Sequence, residues 1–312
     1  MHVFHSTRNK AELHKDYQTI FVQDLNKKWD KYVAKCPQLA NAMLPGMTAK
    51  KILVAEFKVL VRAYFYYIDY IKSLSVVDRH NVQSAANKVF TYKSFSSDIA
   101  SFLIDPKNKY IIHNCVYCDT TKVMTFTHNG RPIRTFQNEH ILDKGTCPLV
   151  ALSLYNFAPS CAICNGQNLK GNNTIGDSED EVVLLSPTNP HYDFWNKAMF
   201  VVNPKITATS GKARVQSPND YEIDFIYKDI RYKKTVNLFA LKERYNTFHL
   251  MEALRWLDNK DRMNDVMLGA YAKIEQVTPE EIYNRVFRID IDRKENNPLR
   301  KMKEDLIGET PW

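Results

Sequence analysis

The sequence has no apolar run long enough to cross a bilayer. Its most apolar stretch, residues 52–71, is interrupted by Glu56, Lys58, Arg62 and Asp69, whereas a spanning helix needs about 20 largely apolar residues. The opening MHVFHSTRNK lacks the apolar segment of a secretory signal, so neither membrane insertion nor export is expected. Gly-x-x-x-x-Gly-Lys-Ser/Thr is absent, which leaves any nucleotide control to a partner. Internal repeats and low-complexity tracts are missing as well. Cysteine is sparse at six, and Cys36 and Cys147 stand at no spacing that suggests a pair. That count argues against a secreted disulfide scaffold and for a reducing, cytoplasmic setting.

What remains is an ordinary globular composition. Of the 312 residues, 44% are hydrophobic and 25% charged, enough for a full core in one or two domains. The net charge of +8 favours a polyanionic partner, since lysine and arginine release counterions when they neutralise phosphates.

The remaining four cysteines organise the chain. Cys115-Val-Tyr-Cys118 and Cys161-Ala-Ile-Cys164 form two Cys-x-x-Cys knuckles, and four thiolates so arranged match the tetrahedral sulfur shell of a structural Zn²⁺. Between them lies Asn138-Glu139-His140-Ile141. Asn156 comes 16 residues after the histidine, Asn165 directly follows the last knuckle, and Lys170-Gly171 closes the segment. Together these residues resemble an HNH endonuclease, of the ββα-metal branch in which a four-cysteine zinc site clamps the nuclease finger. The resemblance covers residues 110–185. It carries Glu139 where the family more often has Asp, and Asn165 where many members have His.

The resemblance implies a mechanism. His140 would be the general base that activates water, Glu139 and Asn165 would hold one catalytic Mg²⁺ or Mn²⁺, and Asn156 would position the histidine segment. Lys170 would contact phosphate, and zinc on Cys115, Cys118, Cys161 and Cys164 would be structural. The chemistry is coherent: imidazole titrates near neutrality, and a hard cation stabilises charge on phosphorus and on the leaving oxygen. DNA is the implied substrate. Fingers of this kind embedded in larger flanks occur in restriction and anti-phage defence systems, often beside a separate ATPase subunit. A second reading keeps the zinc and drops the chemistry, leaving a non-catalytic nucleic-acid-binding or scaffold protein.

The expected fold is α+β. It has a helical N-terminal region (1–108), the finger (109–186), and a C-terminal region of a small antiparallel sheet plus helices (187–312). Apolar spacing predicts a helix over 12–35 and a long one from a Thr48 cap to about Ser75, with shorter helices near 80–91 and 94–104. Residues 123–126 and 133–136 flank Asn129-Gly130, a strong hairpin signal that sets Glu139-His140 at a hairpin end. Residues 141–160 read as a loop, followed by a helix starting near Cys164. Strands are expected at 199–202, 205–209, 213–216, 221–227 and 232–236. One striped helix is expected over 238–257, a capped one from Thr278-Pro279, and a basic one after Pro298.

Overall fold

The computed structural model of the chain describes residues 3–111, 113–205, 218–288 and 297–308. It is mixed α and β, mostly helical, with three separate two-stranded antiparallel sheets. Contacts group residues 2–117 with 123–192 into one unit, and 118–122 with residues from 193 onward into another. Among the described residues no helix is long and apolar enough to cross a membrane.

In the first unit, helices α1 (Lys10–Thr19) and α2 (Val22–Lys35) replace the single helix expected over 12–35. The chain tightens between them, with Ile20 N–H donating to Tyr17 O and Phe21 N–H to Gln18 O. Tyr17 and Phe21 are both fully buried, edge to face at 5.2 Å. The Tyr17 hydroxyl donates to Leu152 O at 2.9 Å, so a ring at this break reaches the loop before the second knuckle.

A short α3 (Gln38–Asn41) leads to Thr48, whose hydroxyl accepts Lys51 N–H at 3.1 Å and caps the one-turn α4 (Ala49–Ile52). The long helix expected from this cap does not continue. The carbonyls of Ile52 and Leu53 instead accept Ser153 Oγ–H at 2.8 Å and Leu154 N–H at 2.7 Å. Carbonyls given to a distant loop cannot close the next helical turn. The long helix begins afresh as α5 (Phe57–Ser73), followed by α6 (Val76–Val89), capped by Ser75, and α7 (Tyr92–Ile104). Tyr64 and Tyr67 of the tyrosine-rich α5 are buried, as aromatic core packing requires.

Strands β1 (Thr125–His128) and β2 (Arg131–Arg134) close around Asn129 and Gly130, both at positive φ (50° and 72°). A two-residue turn of this hand matches strand twist, and glycine takes it without strain. Strand β3 (Gln137–His140) pairs with β4 (Phe157–Ser160), with Glu139 opposite Ala158 and His140 opposite Phe157. Glu139-His140 therefore belongs to a second sheet, not to the end of the Asn-Gly hairpin. The last four residues of the expected loop, 157–160, are strand, and helix α8 (Ala162–Asn165) starts two residues before Cys164 and lasts one turn. Helix α9 (Glu179–Leu184) follows and packs on α5.

In the second unit, α10 (Phe194–Lys197) precedes β5 (Ala198–Pro204), which pairs with β6 (Tyr221–Tyr227). Of the strands expected at 205–209 and 213–216, residues 206–209 and 213–216 lie outside the described residues. The strand expected at 232–236 is instead helical, within α11 (Lys233–Leu238). Asp229 explains this, because its carboxylate accepts Arg231 N–H and starts a helical turn at Ile230. The helix expected over 238–257 divides at His249 into α12 (Leu241–Phe248) and α13 (Leu250–Arg262). Of its expected apolar stripe, Leu241 and Tyr245 are buried, while Phe248 is 72% exposed. Helices α14 (Asp265–Glu275), α15 (Pro279–Phe287) and α16 (Arg300–Ile307) complete the unit. The Thr278–Glu281 capping box is formed in both directions. The Asp119 carbonyl accepts Leu299 N–H, which ties the start of α16 to the turn after the first knuckle.

Candidate metal centre and active-site cavity

The two knuckles converge. Sγ atoms of Cys115, Cys118, Cys161 and Cys164 all lie within 4.8 Å of one another, and all four residues are buried. A tetrahedral ZnS₄ centre with bonds of about 2.3 Å has sulfur–sulfur edges of about 3.8 Å, so the donor set fits zinc. Local chemistry favours thiolates there. Cys161 occupies the N-cap of α8, where its sulfur accepts Cys164 N–H at 3.4 Å, and Thr120 Oγ1 lies 3.2 Å from Cys118 Sγ. Such N–H and O–H donors offset sulfur charge around a bound metal. Cys36 and Cys147 stay apart from the cluster as buried free thiols.

The segment between the knuckles builds a polar cavity of about 350 Å³. His140 and Asn138, two apart on β3, both line it, as alternation on a strand dictates. The His140 ring stands edge-on to Tyr92 (4.5 Å) and Phe157 (4.8 Å). Its Nε2 lies 3.0 Å from Ala151 O. A carbonyl only accepts, so Nε2 carries the proton and Nδ1 holds the lone pair. Burial, then the positive charges of Lys144 and Lys170, push the His140 pKa down to about 3. The ring is therefore neutral across the physiological range.

Asn156 is fully buried and spends its amide on the loop. Leu142 N–H donates to its Oδ1 at 2.7 Å, and its Nδ2 donates to Leu142 O and Val150 O. Asn165, at the end of α8, reaches the same cavity as His140 and donates from Nδ2 to Gln137 Oε1 at 2.6 Å. Asp143 also lines the cavity, but its carboxylate is spent on Gly145 N–H, Thr146 N–H and the Thr146 hydroxyl.

Glu139 and Lys170 lie elsewhere. Glu139 is not among the cavity's lining residues. It is 1% exposed, with Oε2 accepting the Tyr117 hydroxyl at 2.6 Å and Oε1 lying 2.9 Å from Lys170 Nζ. Lys170, with no exposed surface, also donates to His140 O at 3.0 Å. In this arrangement Lys170 meets a carboxylate and a backbone carbonyl in the interior, where no phosphate reaches it. Of the expected metal-ligand pair, Asn165 lines the cavity and Glu139 does not; Glu139 Oε2 accepts from Tyr117, and its buried Oε1 faces the Lys170 ammonium without a hydrogen bond. A catalytic Mg²⁺ or Mn²⁺ does not fit that donor set as it stands.

Sequence reasoning passed over Tyr92, Tyr117, Arg134, Asn138, Asp143 and Lys144. Strand alternation back from His140 points to Asn138, and Tyr117 sits inside the first knuckle. Tyr92 carried no signal, since only tertiary packing brings α7 to β3. No protein-family model, no curated protein and no solved structure matches this chain.

Three outcomes follow from this geometry. Cys161→Ser should lower thermal stability and release the metal, because structural zinc contributes folding free energy directly; equal melting temperatures for variant and parent would remove the metal centre. Lys170→Ala should cost about 3–5 kcal/mol by leaving a buried carboxylate unpaired. A chemical-denaturation change within about 0.5 kcal/mol would instead mark Lys170 as a surface residue. As pH falls below the ordinary histidine value of 6.5 toward about 3, the unfolded chain takes up a proton that buried His140 refuses. Stability should fall across that window, and His140→Gln should flatten the fall; identical pH profiles would refute the burial effect.

Proposed function

We propose that the chain is a phosphodiester hydrolase of the HNH endonuclease kind, acting on DNA, with His140 as general base. The observation that carries this reading is the anchored imidazole. Nε2–H is held by Ala151 O, the ring is wedged between Tyr92 and Phe157, and the whole forms part of the wall of a polar cavity. Nδ1 is left to accept the proton of an attacking water. A phosphate bound in the cavity would stabilise the imidazolium and raise the low pKa toward a useful value. Asn156 holds the loop that follows the base, and Asn165 brings an amide to the same cavity from α8. The order of strand, loop, strand and one-turn helix, with knuckles at both ends, agrees with a ββα finger clamped by structural zinc.

A divalent ion would supply charge stabilisation at phosphorus, but Glu139 would first have to leave Lys170 and Tyr117, so no step is assigned to it. On this reading the +8 charge serves DNA binding. The absent phosphate loop makes a separate ATPase a suitable partner, as in restriction or anti-phage defence systems. One observation favours the alternative of a zinc-stabilised, non-catalytic binding or scaffold protein: the sealed Glu139–Lys170 pair.

A plasmid-nicking assay with added Mg²⁺ or Mn²⁺ separates the two. His140→Ala should lower cleavage by about 10²- to 10⁴-fold, with zinc content and DNA affinity unchanged. Cleavage at the parental rate by folded His140→Ala protein rejects the assignment, and no cleavage by the parent protein favours the scaffold.

A further inference from the structure

The phosphate contact expected of Lys170 needs another source, since that ammonium is buried against Glu139. Two other cations reach the cavity: Arg134, the last residue of β2, and Lys144, in the loop after β3. Both border Tyr92. Lys144 Nζ lies 5.4 Å from the Tyr92 ring centroid, and the Arg134 charge acts on the Tyr92 phenol. Neither cation has a carboxylate within 4.0 Å among the described residues, whereas Lys170 in the neighbouring interior is paired with Glu139. Arg134 rests on the Phe136 ring at 5.9 Å, and its Nη1 is buried without a hydrogen-bond partner. An unpartnered, desolvated guanidinium nitrogen beside a polar cavity is costly unless an anion completes it.

We propose that Arg134 and Lys144 form an anion subsite in the His140 cavity that binds a phosphate of the nucleic-acid backbone. The planar guanidinium offers paired N–H donors to phosphate oxygens, and the ammonium adds a mobile point charge. The one carboxylate lining the cavity, Asp143, is held within its own turn by Gly145 N–H, Thr146 N–H and the Thr146 hydroxyl and forms an ion pair with neither cation. Together they would set a phosphodiester beside His140 without reading base sequence. This inference rests on the hydrolase reading for its purpose, but its test does not depend on cleavage.

The test is the affinity of the full chain for a short mixed-sequence DNA duplex over a range of salt concentrations, without added Mg²⁺ or Mn²⁺. Arg134→Gln/Lys144→Gln should lower the slope of log affinity against log salt by about 0.9, the value for the one phosphate contact the subsite makes. The loss should be equal on duplexes of unrelated sequence. Lys88→Gln/Lys273→Gln, which removes the same charge at exposed sites outside the cavity, should leave the slope near parental. Lys144→Gln alone, at an exposed side chain, should take about half of the effect and serves if the double variant does not fold. A parental slope for the cavity variants, or an equal loss in the control pair, overturns the subsite. Lost slope in a chain that never cuts DNA keeps the subsite and rejects the hydrolase. Cleavage with a parental slope does the reverse.

Discussion

Four sulfur atoms within 4.8 Å of one another, all buried, are the constraint on which the candidate site depends. Left as thiols they would be weak donors and acceptors packed together to little advantage. As thiolates they would repel one another strongly at low dielectric unless a cation sat among them. A metal ion such as zinc would resolve this, and its binding energy would then close a loop of more than 40 residues between the knuckles. Inside that loop lie β1, β2, β3, the Asn156-pinned segment and β4, and α8 carries the last cysteine of the second knuckle. Holding its two ends together lets a four-residue strand and a one-turn helix keep a defined geometry that neither would hold alone.

Within that frame the two faces of β3 carry opposite electrostatics. One face turns Glu139 inward to Tyr117 and Lys170, a pair whose desolvation is offset only because each charge has more than one partner. The other turns His140 and Asn138 toward a polar cavity bordered by Arg134 and Lys144. Burial, then the charges of Lys144 and Lys170, hold His140 neutral. The dipeptide Glu139-His140 thus points two ways: one residue binds the strand to the interior, and the other lines the cavity.

The parts of this site that depend on local spacing were legible in the sequence. Cys-x-x-Cys places two ligands on one turn whatever surrounds it, and Asn129-Gly130 needs only its own backbone to turn a hairpin. Asn156 was likewise singled out by its spacing, and its hydrogen bonds run to Leu142 and Val150. What escaped was decided by tertiary contact. Nothing near Lys170 in sequence says that it meets Glu139 in the interior. The break at Leu53 arises because residue 154, a hundred positions on, takes its carbonyl. The helix at 232–236 looked like a strand because its tyrosine and valine favour strands on average, whereas a single aspartate cap reversed the local balance.

The most direct test of the account is the metal itself. Zinc content per chain, measured together with X-ray absorption at the zinc edge on the purified full-length protein, reports occupancy and the identity of the donors. The account predicts one zinc per chain in a shell of four sulfurs at about 2.3 Å. Protein purified without chelators that contains no zinc, or zinc bound by a mixed nitrogen and oxygen shell, would contradict it.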